Sequence, residues 1–279
     1  MTDIIEKKRP FTHGVREVRS SLTAAAVYAE EVLTVGYTVV GNVLTPEEVA
    51  VAKDKINAAY DVQCEEVGGV EAIESISDAD VARCLLSYDD FFVDVAANAQ
   101  VLEIVRELIG EHVIVVAQNG IINRPTEGLL PVAWHRDLNY QHFVSSRPLA
   151  ISALYCIDEF TVATGGTCVL PASHKVEAFP SPELVERLET TIEAAPGSVL
   201  IFDAMLFHRA GDNRSGRDRL AVNHIYGVPA LAQQISLPSA LGGRFADDPA
   251  LSTLLGYKYA PRASAYEWRR ERIDRIPAQ

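Results

Sequence analysis

The change of pattern at Gly110 constrains this 279-residue chain more than any other feature. Before it, apolar residues recur at helical spacing; after it, they gather in short β-rich runs cut by Gly and Pro. The first part opens on an Ala-rich helical stretch from Leu22 to about Val32, then a β-branched strand, Tyr37-Thr38-Val39-Val40. Thr45-Pro46-Glu47-Glu48 reads as a helix start, with Thr45 at the N-cap, Pro46 at N1 and Glu48 completing a capping box. That helix runs to about Tyr60, and residues 65–80 are acidic and irregular and read as a loop. From Phe91 to Ile109 the pattern is helical again, with Val101, Ile104, Val105 and Leu108 on one face and Gly110 as the C-cap.

The second part holds the runs Val113–Ala117, Ala150–Ile157, Thr167–Leu170, Ser198–Phe202 and Arg219–Val228. Gly165-Gly166, Pro171, Pro196-Gly197 and Gly211 punctuate them. Helices first and many short strands afterwards predict a mainly β fold with flanking helices: an antiparallel core, jelly roll or barrel, with helices packed outside. Beyond Pro229 the pattern weakens, and only a helix from about Ala265 to Arg275 is expected.

No Pro/Gly/Ser-rich linker divides the chain, so a single domain over 1–279 is expected: a mostly helical part, 1–110, packing on a β core, 111–229, with a C-terminal extension, 230–279. The net charge of −13 argues against a nucleic-acid partner, which usually needs a basic face. Arg269, Arg270, Arg272 and Arg275 alternate with Glu267, Glu271 and Asp274, as on a solvated helix face. No apolar run approaches the ~18 residues of a membrane span. The opening MTDIIEKKRP lacks the apolar core of a signal peptide, and Cys64, Cys84, Cys156 and Cys168 form no CxxC pair. The expectation is a cytoplasmic protein with free thiols and no membrane partner, in which the Asn213-Arg214-Ser215 sequon is a chance match. The oligomeric state stays open.

His135 and Asp137 sit two apart, and on a strand such residues share a face, so an imidazole and a carboxylate can converge on one metal. His208 follows the apolar stretch Val199–Phe202. Two histidines and one carboxylate leave cis positions open on an octahedral ion, which suits iron(II) oxygenases. The tetrapeptide His135-Arg136-Asp137-Leu138 also copies the start of a protein-kinase catalytic loop. That loop needs Asn where this chain has His142, and no D-F-G follows, so the kinase reading fails. Arg219 begins the strand after His208; a buried guanidinium there needs a carboxylate, and the distal carboxylate of a chelating 2-oxo acid would supply one.

Four stretches, taken in order, resemble the phytanoyl-CoA dioxygenase family of iron(II)/2-oxoglutarate-dependent oxygenases. They are Gly36–Val40 running into Thr45–Glu48, Trp134–Leu138, Gly165–His174, and Pro196–Asp203 followed by His208–Ser215. The resemblance implies a double-stranded β-helix, a cupin-like core. It implies iron(II) on His135, Asp137 and His208, the distal carboxylate of 2-oxoglutarate on Arg219, and a contact from Gln118 to the same co-substrate. Together His135, Asp137, His208 and Arg219 form the expected catalytic set. Small-molecule substrate and O₂ are the expected partners, with succinate and CO₂ released, in secondary metabolism; hydroxylation is the default outcome, and desaturation, epoxidation, ring closure and peroxide formation stay open from the same iron site. Asp137 favours hydroxylation, because halogenases of related fold lack a carboxylate there.

The chain departs from the family pattern at Ala210, where relatives often carry a Ser that helps the Arg hold the co-substrate; another donor must substitute or binding is weaker. Thr164 and Ala172 replace the family's Asn and Gly, and His174 is expected to be structural. Candidate substrate residues are Arg136, Asn139, Tyr140 and Asn223, with His142 nearby. Alternation along the strand from Arg219 turns Asn223 inward and His224 outward. The tail aromatics Tyr257, Tyr259, Tyr266 and Trp268 read chiefly as packing onto the barrel. A cupin-like metal enzyme that uses no 2-oxoglutarate and a non-catalytic metal-binding barrel are the alternatives.

Overall fold

The computed structural model describes residues 23–125, 133–138 and 143–276. Its helices are α1 (Ala24–Val35), α2 (Pro46–Glu66), α3 (Val70–Ser75), α4 (Phe91–Ala96), α5 (Ala99–Ile109), α6 (Pro182–Leu188), α7 (Leu237–Ala240), α8 (Pro249–Leu254) and α9 (Ala265–Asp274). The strands are β1 (Tyr37–Val40), β2 (Val81–Arg83), β3 (Ile114–Asn123), β4 (Ala150–Cys156), β5 (Cys168–Val169), β6 (Thr190–Thr191), β7 (Val199–Asp203), β8 (His208–Arg209) and β9 (Arg219–Gly227).

Local chemistry sets the helix ends. Thr23 accepts from Ala26 N at the start of α1, and the capping box of Thr45 and Glu48 opens α2. Gly36 ends α1 at φ +96, and a Cβ there would lie 2.5 Å from Leu206 Cδ1 and 2.8 Å from His174 Nδ1. Both the backbone conformation and the close approach require glycine. Asn98 accepts from Val101 N and so splits the expected single helix over 91–109 into α4 and α5. Residues 65–80 are not all loop: α2 continues to Glu66, and α3 follows because its Ile73 finds a buried place. In the tail, α7 and α8 are additional helices with Pro in their first turns, where its missing N–H costs nothing.

The strands pair antiparallel throughout the described residues, in a six-stranded sheet of order β1-β7-β4-β9-β3-β2 and a three-stranded sheet of order β6-β5-β8. This is the expected jelly-roll core. Both faces of the large sheet are covered, which is why every residue of β4 and β7 is buried. One face carries Ala153, Tyr155, Ile201, Val222 and Tyr226 against the helical layer, including Val32, Ile56 and Val105. Tyr155 and Tyr226 donate from their hydroxyls to the carbonyls of Val95 and Ala96 and so pin α4 to the sheet. The other face carries Leu154, Cys156, Leu200, Phe202 and Ala221 into an interior shared with Val169 of the small sheet. All four cysteines are free and buried, and no helix among the described residues is long and apolar enough to cross a membrane.

Candidate metal centre

The interior opens onto the three residues singled out by spacing. His135 lies beside β8 and exchanges both backbone hydrogen bonds with His208, at 3.0 and 3.1 Å. The histidine rings face each other with centroids 4.3 Å apart. Asp137 is held by its own N–H to the carbonyl of Ala204 at 3.0 Å, and its Oδ1 lies 3.5 Å from His208 Nε2. One ligand atom from each of the three side chains lies within 4.8 Å of the others.

Hydrogen bonds around these groups orient them for coordination. His135 Nδ1 lies 3.0 Å from the Ala133 carbonyl, and His208 Nδ1 lies 3.0 Å from the Leu206 carbonyl. A carbonyl only accepts, so each Nδ1 carries the proton and each Nε2 turns its lone pair inward. Asp137 Oδ2 accepts from the Ser152 hydroxyl, which leaves Oδ1 facing the histidines. Burial alone would push the Asp137 carboxyl up. His208 beside it, with the Ser152 hydroxyl and His135, outweighs this and brings it down to about 2. Asp137 is therefore ionised at neutral pH, as a metal ligand must be. Burial would lower His208, but the facing carboxylate raises it; His135 is held below the usual range, first by burial and then by His208. Two imidazole nitrogens and one carboxylate oxygen on one side form a facial donor set suited to iron(II).

Arg219 occupies the far side of the same interior. It is 2% exposed, its Nη2 donates to the Gly165 carbonyl at 2.8 Å, and its guanidinium stacks on Phe160 at 4.3 Å. Phe160 shares the interior cluster with Phe202, whose ring lies 4.7 Å from that of His208. Among the described residues no carboxylate pairs with Arg219, and its Nε has no hydrogen-bond partner. Burial brings the guanidinium down only to about 10, so it remains a cation. A buried fork of donors with an unused N–H is a receptor for a planar carboxylate, and this is the feature a 2-oxo acid with a distal carboxylate matches.

Two expected site residues are placed elsewhere. Gln118 faces the helical layer: its Oε1 accepts from Leu86 N at 2.7 Å, and its Nε2 reaches the Phe92 carbonyl at 2.9 Å and His224 Nε2 at 2.6 Å. Its pairing with His224 across β3 and β9 puts both side chains on the face opposite Arg219, so Gln118 does not reach the interior. Arg136 alternates away from its neighbours His135 and Asp137. It is 3% exposed, stacks on Phe207, and donates to the carbonyls of Met205, Ser173, Val176 and Glu177, which makes it an anchor for the loops and not a substrate contact. Asn139, Tyr140 and His142 lie outside the described residues.

Asn223 turns inward with the parity of Arg219, and its Oδ1 is buried with no hydrogen-bond partner among the described residues. His224 turns outward between Tyr155 and Tyr226, and His174 is buried beneath α1 near the Leu33 carbonyl. In the tail, Tyr257 and Tyr259 pack on the barrel, whereas Tyr266 and Trp268 are exposed, at 74% and 49%. Sequence reasoning missed Ser152; its signal was a hydroxyl in an otherwise apolar strand.

Comparison with known proteins places these features among relatives. The family model for phytanoyl-CoA dioxygenase (PhyH) matches residues 33–221. The chain is 33% identical over 213 residues to the uncharacterised protein Rv1501 of Mycobacterium tuberculosis, covering 75% of this chain and 77% of that protein. Among solved structures, it resembles the epimerase SnoN in complex with Fe³⁺, α-ketoglutarate and nogalamycin RO (TM-score 0.58, 20% identity, 74% of this chain and 84% of that one). It also resembles EctD from S. alaskensis with 2-oxoglutarate and 5-hydroxyectoine (TM-score 0.63, 20% identity, 80% and 83%).

Proposed function

The chain belongs to the phytanoyl-CoA dioxygenase family and is a non-haem iron(II)/2-oxoglutarate-dependent dioxygenase, and on that premise we propose that it hydroxylates a small organic substrate of secondary metabolism. The observation that carries this reading is Arg219, a buried cation without a carboxylate partner among the described residues, on the interior that also holds His135, Asp137 and His208.

In this reading His135 Nε2, His208 Nε2 and Asp137 Oδ1 hold iron(II), and Arg219 grips the distal carboxylate of 2-oxoglutarate. The bound metal and 2-oxo acid supply the oxidising chemistry, drawing on O₂ and releasing succinate and CO₂. The protein positions and encloses. Ser152 holds Asp137 in its orientation, and the two backbone carbonyls hold the imidazole tautomers. Leu154, Leu200 and Phe202 line the interior and keep water from it. Asn223, whose amide oxygen has no partner among the described residues, faces the substrate. Asp137 fills the position where a halide would otherwise bind, so oxygen insertion is the expected outcome. The net charge of −13 disfavours a large polyanionic acyl-CoA and favours a smaller substrate. SnoN acts in nogalamycin biosynthesis, which supports a role in secondary metabolism.

The test is slow, substrate-free formation of succinate from 2-oxoglutarate by the iron(II)-loaded protein in air, abolished in Asp137→Ala. Succinate no higher than in a control without enzyme would overturn the reading in favour of a metal enzyme that uses no 2-oxo acid, or a binding barrel.

A further inference from the structure

Every residue of α9 is exposed except Glu271, which is half-buried. A helix this short is marginal in water unless one of its faces packs against something. The alternating charges of this segment separate on the helix into two sides. Glu267, Glu271 and Asp274 succeed one another at spacings of four and three, and on this side Glu271 pairs with Arg262 of the preceding segment at 2.6 Å. The opposite side carries Tyr266, Arg269, Ile273 and Ile276 at spacings of three and four, with Trp268 and Arg272 beside them. All six are exposed, and the Arg272 guanidinium lies 3.4 Å over the Trp268 ring. Glu271 and Asp274 are taken by Arg262, Arg270 and Arg275, which leaves Arg269 and Arg272 without an ion pair among the described residues. Tyr, Trp and Arg around an apolar stripe are the residue types enriched where proteins meet.

The complement of this face lies elsewhere on the same chain. Between Lys55 and Arg83 there are seven acidic residues and no Lys or Arg. Asp78 and Asp80 are taken by Arg83 and Arg124, and Glu66 by the Tyr88 hydroxyl. Asp61, Glu65, Glu71 and Glu74 are exposed and have no ion pair among the described residues. The Gly69 N–H donates to the Cys64 carbonyl at 2.8 Å, and this turn sets α3 against α2. The four free carboxylates thereby share a surface with Val62, Val67, Val70 and Ile76, which are exposed as well.

We propose that two copies of this chain exchange their C-terminal helices, α9 of each lying on the α2–α3 surface of the other. The exchange gives two equal contacts about a twofold axis and so closes as a dimer. Each contact covers apolar side chains on both partners and sets Arg269 and Arg272 against unpaired carboxylates. Pairing α9 with α9 would instead bring arginines against arginines, which costs affinity. The net charge of −13 on each copy opposes approach only weakly at physiological salt, where exposed charges more than about 8 Å apart are largely screened.

The experiment is sedimentation equilibrium of the full chain. The wild type should sediment as a dimer at micromolar concentration, and more weakly as salt is raised. Arg269→Glu with Arg272→Glu, and separately Glu71→Arg with Glu74→Arg, should each weaken the dimer by at least about a hundredfold. All four positions are exposed, so the circular dichroism of both variants should match the wild type. An equimolar mixture of the two variants should regain the dimer, because both of its contacts then join opposite charges. A wild type that sediments as a monomer, a dimer that survives either double variant, or a mixture that stays monomeric would each overturn the proposal.

Discussion

Ser152 donates its hydroxyl to Asp137 Oδ2, from the middle of a strand that is otherwise buried apolar surface. The bond occupies one carboxylate oxygen and leaves the other toward His208. Partners of this kind hold a ligand in one orientation, and their loss typically costs ~10–100-fold in metal affinity or activity. Ser152→Ala should therefore weaken iron(II) or cobalt(II) binding by at least about tenfold with little change in the melting point of the apo-protein. Metal titration of the two proteins side by side decides it; equal affinities would show that Asp137 is oriented without Ser152.

Arg219 sets function against stability. Its guanidinium is buried beside Phe160 with no carboxylate partner among the described residues, an arrangement that costs folding energy and that the proposed function accounts for as a co-substrate grip. Arg219→Met should raise the apo-protein's melting point. The same change should weaken 2-oxoglutarate by about 2–5 kcal/mol, as for removal of one partner of a buried charge pair. Thermal melts and calorimetry read the two effects separately. A variant that binds 2-oxoglutarate as the wild type does would show that another residue grips the co-substrate.

Arg136 should prove structural. It gathers four backbone carbonyls from two loops, and of these the buried Met205 carbonyl would be left without a donor if Arg136 were shortened. Such an orphan costs about 1–3 kcal/mol, and the cation packed on Phe207 is lost with it, so Arg136→Ala should melt below the wild type. Metal affinity should fall as well, because the strand between His135 and Asp137 loses its anchor to Met205. A variant with the wild-type melting point would contradict the anchoring role.

The pH dependence of stability should carry the signature of His224. Burial holds this imidazole down to about 3, against about 6.5 for a free histidine. Below ~pH 6.5 the unfolded chain takes up a proton that the folded protein refuses, so stability is complete above that pH and declines as pH falls toward 3. His174, held down to about 4 chiefly by burial, acts in the same direction. Denaturant melts of wild type and His224→Gln between pH 7 and 4.5 should show a shallower decline in the variant. Parallel slopes would show that His224 is not the group responsible.

The local patterns carried most of the architecture. Thr45 and Glu48 announced their capping box, the β-branched runs announced the strands, and the two-residue spacing of His135 and Asp137 put them on one face before any pairing was known, because alternation is a property of the strand itself. The set of His135, Asp137, His208 and Arg219 was legible as compatible residue types. Other assignments depended on contacts between distant segments. The β3–β9 register turns Gln118 toward Leu86, Phe92 and His224, and so removes it from the interior. Packing beneath Phe207 made Arg136 an anchor, and burial of Ile73 made a helix of a segment that looked like loop. Within a strand, sequence determines which residues share a face; which face looks inward, and which residue of another strand stands opposite, is decided only when the sheets close and each buried polar group must find its partner.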